Sequence, residues 1–385
     1  MTTAPSTSII KWFVLNRAYT HFEDIMTDKK LRAGIIGLGI GKSHAKGYLN
    51  SPDAELVALC DMRESLLDQF GSEWNVAGRF TDYQKMFAEA NLDIVSVCLP
   101  NALHADVSIA GLEAGAHVVC EKPMALSVVE CQKMIAAAER TQRRLMVSYN
   151  WRYRPDSQWM HNMVHSGKLG QIYHANVSWR RETGIPGWGL FHGKAASGGG
   201  ALIDLGVHMI DLGLWMMGFP SVETVSADTR SLFGPRGLKT WGRTPGQKIE
   251  GGFDVDDGAV GFARLSNGAN MFIQITWAEH TEPQDDDFRV ELQGTEGTAI
   301  MHVRNYKHED TLRYYTEIEG EPVTVIPTPR AAASYHHESL IKDIIDALVH
   351  DKPAPTTGEQ GLIAVQVLEA MYDSSQTRRE VVLGV

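Results

Sequence analysis

The sequence predicts two α/β units in one chain. A parallel, doubly wound sheet is expected over residues 29–150. A second α/β unit, built on a large, open, mostly antiparallel sheet, is expected over 151–385. Three observations carry this. Short apolar runs alternate with helical segments from Leu31 to Asn150, as parallel strands joined by crossover helices require. A glycine-rich turn, GLGIG at Gly37–Gly41, sits between the first apolar run and the first helical segment. Past Asn150 the strands become longer and alternate in polarity, with turn signals at Ser266-Asn267-Gly268 and Gly294-Thr295-Glu296-Gly297.

The elements follow in order. Leu31–Ile36 reads as a strand and Lys42–Leu49 as a helix. Leu56–Cys60 is a second strand that runs into Asp61, and a weaker one lies near Val76–Phe80. Leu92–Leu99, His117–Cys120 and Leu145–Tyr149 complete the strand set, with helices at His104–Ala114 and Val128–Thr141. In the second unit, strands are expected at Gln171–Trp179, Gly258–Leu265, Asn270–Trp277 and Arg289–Gln293. A glycine-rich loop and helix, Ser197–Met217, interrupt them. Helices at Tyr335–His350 and Glu359–Gln376 close the chain, separated by Pro353 and Pro355. Residues 1–28 precede any regular pattern and read as an extension: an arm, a flexible tail or an overlong start. They lack the basic start, twin arginine and small-residue cleavage site of a signal peptide.

Composition narrows the function. The formal net charge is −11 and no basic patch is visible, which argues against nucleic acid and against an anionic membrane surface. No apolar run is long enough to span a bilayer. Cys60, Cys98, Cys120 and Cys131 form no CxxC pair and no zinc-spaced cluster, so no metal site is expected. They read as buried thiols in a reducing compartment, which suggests a cytoplasmic protein.

In doubly wound sheets, ligands sit beyond the carboxyl ends of the strands. There the Gly37–Gly41 turn lets backbone N–H groups approach a pyrophosphate at a helix N-terminus. Gly37, Gly39, Ile40, Gly41 and Lys42 are therefore candidate dinucleotide contacts, although the motif departs from G-x-G-x-x-G. Lys42 either touches the pyrophosphate or points to solvent. Asp61 ends the second strand about twenty residues on, where a carboxylate accepts from the adenosine ribose hydroxyls and repels a 2′-phosphate. This favours NAD over NADP. Arg63 follows and would soften that preference, unless it is a solvated surface charge. The bland alternatives are a ligand-free tight turn and Asp61 as a helix cap.

Three further stretches sit at the same end: Leu99-Pro100-Asn101-Ala102-Leu103-His104, Cys120-Glu121-Lys122-Pro123, and GGGALIDLGVHMIDLGLWMMG at Gly198–Gly218. With "NWRYRP" at Asn150–Pro155 and "SGKLGQI" at Ser166–Ile172, they make the chain resemble the Gfo/Idh/MocA family over about residues 31–383. That family is named for glucose–fructose oxidoreductase, inositol dehydrogenase and a rhizopine-catabolism protein. The resemblance implies a Rossmann domain followed by an α/β domain with an open sheet. It implies nicotinamide-dependent oxidation or reduction of a sugar, cyclitol or sugar derivative. It also implies a homodimer or homotetramer formed through the open sheet face. In the family a glycine with a histidine three residues on starts the helix, which makes Gly41 the third glycine of a turn one residue short.

The resemblance puts the family's lysine on Lys122 and its paired aspartate and histidine on Asp204 and His208. The chemistry agrees with these residue types. A histidine suits proton transfer from a secondary alcohol. Asp204 and His208, four apart, share a face if the segment is helical. Lys122 at a strand end suits stabilisation of a developing alkoxide. Leu99, Pro100, Asn101, His104, Glu121, Lys122, Asn150 and Arg152 are expected around the cofactor. Substrate contacts are expected from Lys122, Arg152, Trp179, Arg181, Trp188, His192, Lys194, Asp204 and His208. Arg154, Arg180, Tyr335, His336 and His337 are placed within reach more loosely. Asp211 is expected to be structural, and Asp285-Asp286-Asp287 a solvated turn. The function that follows is NAD-dependent dehydrogenation with His208 as acid/base. Two alternatives share the cofactor: a redox-neutral glycosidase working through a transient keto-sugar, and a non-catalytic NAD-binding sensor.

Overall fold

The computed structural model describes residues 30–243, 246–247, 249, 251–282, 286–330 and 336–384, so the expected extension at 1–28 lies outside the described residues. The first unit runs β1 (Leu31–Ile36), α1 (Gly41–Leu49), β2 (Ala54–Cys60), α2 (Glu64–Glu73), β3 (Gly78–Phe80), α3 (Tyr83–Glu89), β4 (Ile94–Val97), α4 (His104–Glu113), β5 (His117–Cys120), α5 (Val128–Thr141) and β6 (Leu145–Val147). The six strands are parallel, in the order β3-β2-β1-β4-β5-β6. The winding reverses between β1 and β4, which opens a crevice at their carboxyl ends. The central strands are apolar because helices cover both faces. Two apolar runs overshoot their strands. The Asp93 carboxylate accepts from the Arg32 backbone N–H at 2.8 Å before β4 begins. After β6 the chain tightens into a 3₁₀ turn at Asn150–Tyr153.

The second unit runs α6 (Pro155–His165), β7 (Ile172–Arg180), α7 (Lys194–Ser197), a π turn at Leu202–Gly206, α8 (Val207–Met216), β8 (Val222–Arg230), β9 (Gly258–Leu265), β10 (Asn270–Thr276), β11 (Asp287–Gly294), β12 (Gly297–Arg304), β13 (Leu312–Ile318), β14 (Glu321–Val325), α9 (His337–Val349), α10 (Gly358–Thr377) and β15 (Val381–Val382). The sheet order is β14-β13-β12-β11-β7-β10-β9-β8-β15. All described neighbours are antiparallel except β7 and β10, which run parallel. That pairing sets Trp179 beside Ile275 and Arg180 beside Thr276, so both strands deliver side chains to one end. One face of the sheet packs on the helices; the other carries Asn176, Glu291, Ile300 and Tyr315 on successive strands.

The late part of the chain also crosses back. Helix α9 lies against α1, and its Leu340, Ile341, Ile344 and Ile345 are buried in one cluster with Ile35 and Leu59. The core of the first sheet is therefore completed by residues some two hundred positions later.

All four cysteines are free and buried. Burial pushes the Cys60 and Cys131 thiols up to about 12, which keeps them protonated and inert. No helix among the described residues is long and apolar enough to cross a membrane.

Candidate active site

The glycine turn after β1 is dictated by crowding. Gly37 has φ +91°, and a Cβ there would lie 2.2 Å from the Cys98 carbonyl oxygen. By contrast, a Cβ on Gly39 would meet no atom within 4 Å, because the backbone faces a cavity of about 870 Å³. Gly37, Gly39, Asp61, Arg63, Leu99, Pro100 and Asn101 line it, joined by Gly189, Leu190 and Phe191 from the second unit. Ile40 at the N-cap of α1 offers no side-chain acceptor; the Ser43 N–H bonds to the Ile40 carbonyl at 2.8 Å, and the N–H groups of Gly41 and Lys42 ahead of it suit an anion. Ile40 itself is 42% exposed, while Gly41 is buried against Ile35. Lys42 is exposed in the first turn and does not line the cavity.

At the far wall Asp61 accepts from the Leu38 N–H at 2.8 Å, and Arg63 lies across its carboxylate at 3.0 and 3.1 Å. Burial alone would raise the Asp61 carboxyl, but the Arg63 and backbone hydrogen bonds hold it below its ordinary value. An ionised acceptor, a close backbone turn, open N–H groups and a cavity of this size together fit a dinucleotide.

The second cluster forms where the units meet. Asp256 accepts from the Gly200 and Leu202 N–H groups at 2.8 and 2.9 Å, which starts the helical run that carries Asp204 and His208. Gly200 is obligatory there, since a Cβ would lie 1.8 Å from the Asp256 carbonyl oxygen. Asp204 sits in the π turn and His208 in the first turn of α8, so the π turn marks the site, as such insertions often do. Lys122, just past β5, donates its Nζ to the Asp204 carbonyl at 3.0 Å and to Oδ1 at 3.1 Å. Trp277, just past β10, donates its Nε1 to Oδ2 at 3.1 Å. Burial works to raise the Asp204 carboxyl, but the charges of Lys122 and Arg181 outweigh it and keep the group ionised.

His208 is 6% exposed and packs beside Trp151 and Trp179, with ring centroids 6.0 Å away in each case. Its Nδ1 has no hydrogen-bond partner. Burial, then the Lys122 charge, holds the imidazole well below its ordinary pKa. A buried ring nitrogen left unpaired costs about 1–3 kcal/mol, which a ligand hydroxyl would recover.

Several residues expected in the cleft are committed elsewhere. Arg152 is 2% exposed and grips Asp211 with its Nε at 2.9 Å and Nη2 at 2.5 Å, while Nη1 donates to Gln360 and to the Pro355 carbonyl. It ties α8 to the loop before α10, and four of its five N–H groups are engaged there. Arg154 is likewise buried on Asp156. The His104 ring is buried between the Pro123 and Leu99 carbonyls at 2.7 and 2.8 Å, so it braces those loops rather than facing the cavity. Glu121 accepts from His44 at 2.8 Å and lies 3.3 Å from His337. These hydrogen bonds hold its carboxyl well down against burial, and they link α1, β5 and α9. Asn101 lines the cavity but spends its amide on the Ser197 carbonyl at 2.8 Å. Asn150 is buried in the 3₁₀ turn after β6.

His192 is buried and bonded to the Pro186 carbonyl, while Lys194 is exposed. Trp188 is 55% exposed at the rim. Trp179 and Arg181 are near the cluster, both donating to Asp286 at 2.6 Å. That corrects the solvated-turn expectation: Asp286 is 1% exposed and Asp287 is 9% exposed, bonded to His302. Asp285 and Tyr335 lie outside the described residues. The His336 ring contacts Trp151, and Arg180 pairs with Glu279. Trp277, Asp256, Asp286 and the Gly189–Phe191 wall escaped sequence reasoning, because each meets the site only through pairing of distant strands.

Comparison with known proteins agrees with this architecture. Residues 31–149 match the oxidoreductase family's NAD-binding Rossmann fold, and residues 161–383 match its C-terminal alpha/beta domain. The D-glucoside 3-dehydrogenase of Escherichia coli K12 is 32% identical over 361 residues, covering 93% of this chain and 99% of that protein. The myo-inositol 2-dehydrogenase of Thermotoga maritima is 27% identical over 358 residues, covering 92% and 98%. The WlbA dehydrogenase of Bordetella pertussis, solved with NADH and UDP-GlcNAcA, superposes with a TM-score of 0.76 at 25% identity, covering 93% and 100%. With both halves matched in order, the chain belongs to the Gfo/Idh/MocA family of NAD-dependent oxidoreductases.

Proposed function

We propose that this enzyme moves a hydride between NAD and a hydroxyl-bearing carbon of a sugar, cyclitol or sugar derivative, with His208 as acid/base. The observation that carries the reading is the Lys122–Asp204–Trp277 cluster, with the unpartnered Nδ1 of His208 one turn further along the same helical run. The glucoside and inositol dehydrogenases among its relatives support the substrate class. In oxidation, His208 takes the hydroxyl proton while the Lys122 ammonium stabilises the alkoxide that develops. Asp204 holds Lys122 in place from two of its oxygens. Bound NAD supplies the hydride acceptor. Reduction runs the same groups in reverse. A panel of polyols, sugars and glycosides, assayed with NAD and NADP for NADH or NADPH formation, tests the proposal; no turnover on any of them would overturn it.

The pH dependence has a defined sign. A base must be unprotonated to act, and the His208 pKa lies well below its ordinary 6.5. The acid limb of kcat/KM for oxidation is expected below pH 6.5, with little change from there to neutrality. A limb at or above that value would contradict the assignment.

Asp61 is proposed to receive the adenosine ribose. Asp61→Ala should raise the KM for NAD by about 10- to 100-fold, the loss of hydrogen bonds to a charged group. It also frees Arg63 for a 2′-phosphate, so the NADP/NAD preference should shift toward NADP. An unchanged KM for NAD would remove Asp61 from the site.

Association of two or four copies is proposed through the open sheet face, which carries Asn176, Glu291, Ile300 and the exposed Tyr315 on the successive strands β7, β11, β12 and β13. Sedimentation at micromolar concentration should show no major monomer.

A further inference from the structure

We propose that Trp188 and Trp241 form a stacking platform for a second ring, the aglycone or next sugar of a glycoside, so that the preferred substrate is a glycosidically linked ring rather than a free sugar. This rests on the sugar-oxidising function above and narrows its substrate class.

The two indoles lie nearly parallel, 8° between planes and 6.0 Å between centroids. Trp188 is 55% exposed, which is unusual for the largest apolar side chain. The pair is held without any ligand. The Trp241 N–H donates to the Ile185 carbonyl at 2.9 Å, and the Ile185 N–H donates to the Lys239 carbonyl at 3.1 Å. Arg243 donates its Nε to the Gly187 carbonyl at 3.1 Å. Two loops distant in sequence are thus laced together, and they present the exposed Trp188 ring backed by the half-buried Trp241.

The platform lies one side chain away from the reacting groups. The Arg181 guanidinium sits 4.6 Å from the Trp241 ring centroid and 5.4 Å from that of Trp179, the tryptophan packed beside His208. The charge of Arg181 also acts on Asp204. Just past Trp188, Gly189–Phe191 turn in to line the cofactor cavity, whereas Trp188 itself stays outside that lining.

The chemistry selects a neutral ring. Arg181 lies against Trp241, is 5% exposed, and is held by Asp286 and the Tyr306 hydroxyl. It therefore stiffens Trp241 from beneath and offers little to an anion. The C–H face of a pyranose, or an aromatic aglycone, gains contact on an indole surface without needing a charge partner.

The test compares NAD-loaded wild type and Trp188→Ala on methyl β-glucopyranoside, phenyl β-glucopyranoside and cellobiose. The substitution should raise KM about tenfold for the two larger glycosides and less than about twofold for the methyl glycoside, the scale of one ring-stacking contact. Trp188→Phe should restore most of the loss. An equal change on all three substrates, or no change on any, overturns the platform while leaving sugar oxidation in place. Should wild type oxidise none of the three, the sugar function is decided by the wider panel above. The platform is then judged by binding alone. Phenyl glucoside quenching of tryptophan fluorescence that Trp188→Ala abolishes supports it, and quenching that is absent or unaltered overturns it.

Discussion

His208→Ala is expected to lower kcat by about 10²- to 10⁴-fold, the range that a positioned acid/base supplies, with NAD affinity little changed. The separation of effects follows from the layout. His208 lies at the junction of the two units, whereas the Asp61 end of the cofactor cavity is built on the first sheet. Lys122 and Asp204 stay paired without the imidazole, because their contacts run to each other and to Trp277. Folding should tolerate the change comparatively well. The Nδ1 of His208 bonds to nothing, so removing the ring strands no donor at that atom; the cost is the gap left beside Trp151 and Trp179. Steady-state kinetics beside a cofactor titration decides the matter. Retained turnover on the true substrate would end the acid/base assignment. A parallel loss of NAD affinity would show that His208 holds the cofactor instead.

Asp211→Ala should cost about 3–5 kcal/mol of stability, the usual penalty for stranding one partner of a buried ion pair. Asp211 is 1% exposed and faces Arg152, 2% exposed, through two hydrogen bonds. Burial raises the Asp211 carboxyl against the pull of Arg152, so an aspartate left alone could escape by taking a proton. Arginine has no such escape, which makes removal of the aspartate the harsher change. Arg152→Lys is expected to recover little, since one ammonium cannot reproduce the fork that reaches Asp211 and Gln360 together. Denaturant unfolding measures the loss. A variant of wild-type stability with a raised KM for NAD would return Arg152 to the cofactor site, where sequence reasoning places it.

The first sheet was legible because its pattern is local. Strand β5 and helix α5 fall on the expected residues, since an apolar run and a capped helix each carry their own boundaries. Strands β8, β12, β13, β14 and β15 were not anticipated. VETVSADTR and its counterparts are half-polar runs whose apolar partners come from α10 and neighbouring strands. The same division applies to the site. Lys122, Asp204 and His208 stand out through the motifs that carry the family resemblance, with which their residue types and spacing agree. Trp277 and Asp286 do not, because only the parallel seam between β7 and β10 and the β7–β11 pairing bring them in. The acidic run that includes Asp286 read as solvent-facing since a carboxylate in a turn usually is. Two donors from the end of β7, invisible in one dimension, reverse that.

The seat of α9 on α1 has a consequence for how the protein is made. Ile341 fills the space that any side chain at Gly47 would occupy, with a Cβ there only 2.4 Å away. His337 at the head of α9 meets Glu121 beside His44. During synthesis the nucleotide-binding sheet emerges first, yet the wall behind its glycine turn arrives only with residues 337–349. That half of the enzyme is not a detachable cassette. A chimera that exchanges residues 30–150 between relatives must carry a matching α9 or leave an apolar helix face open to aggregation.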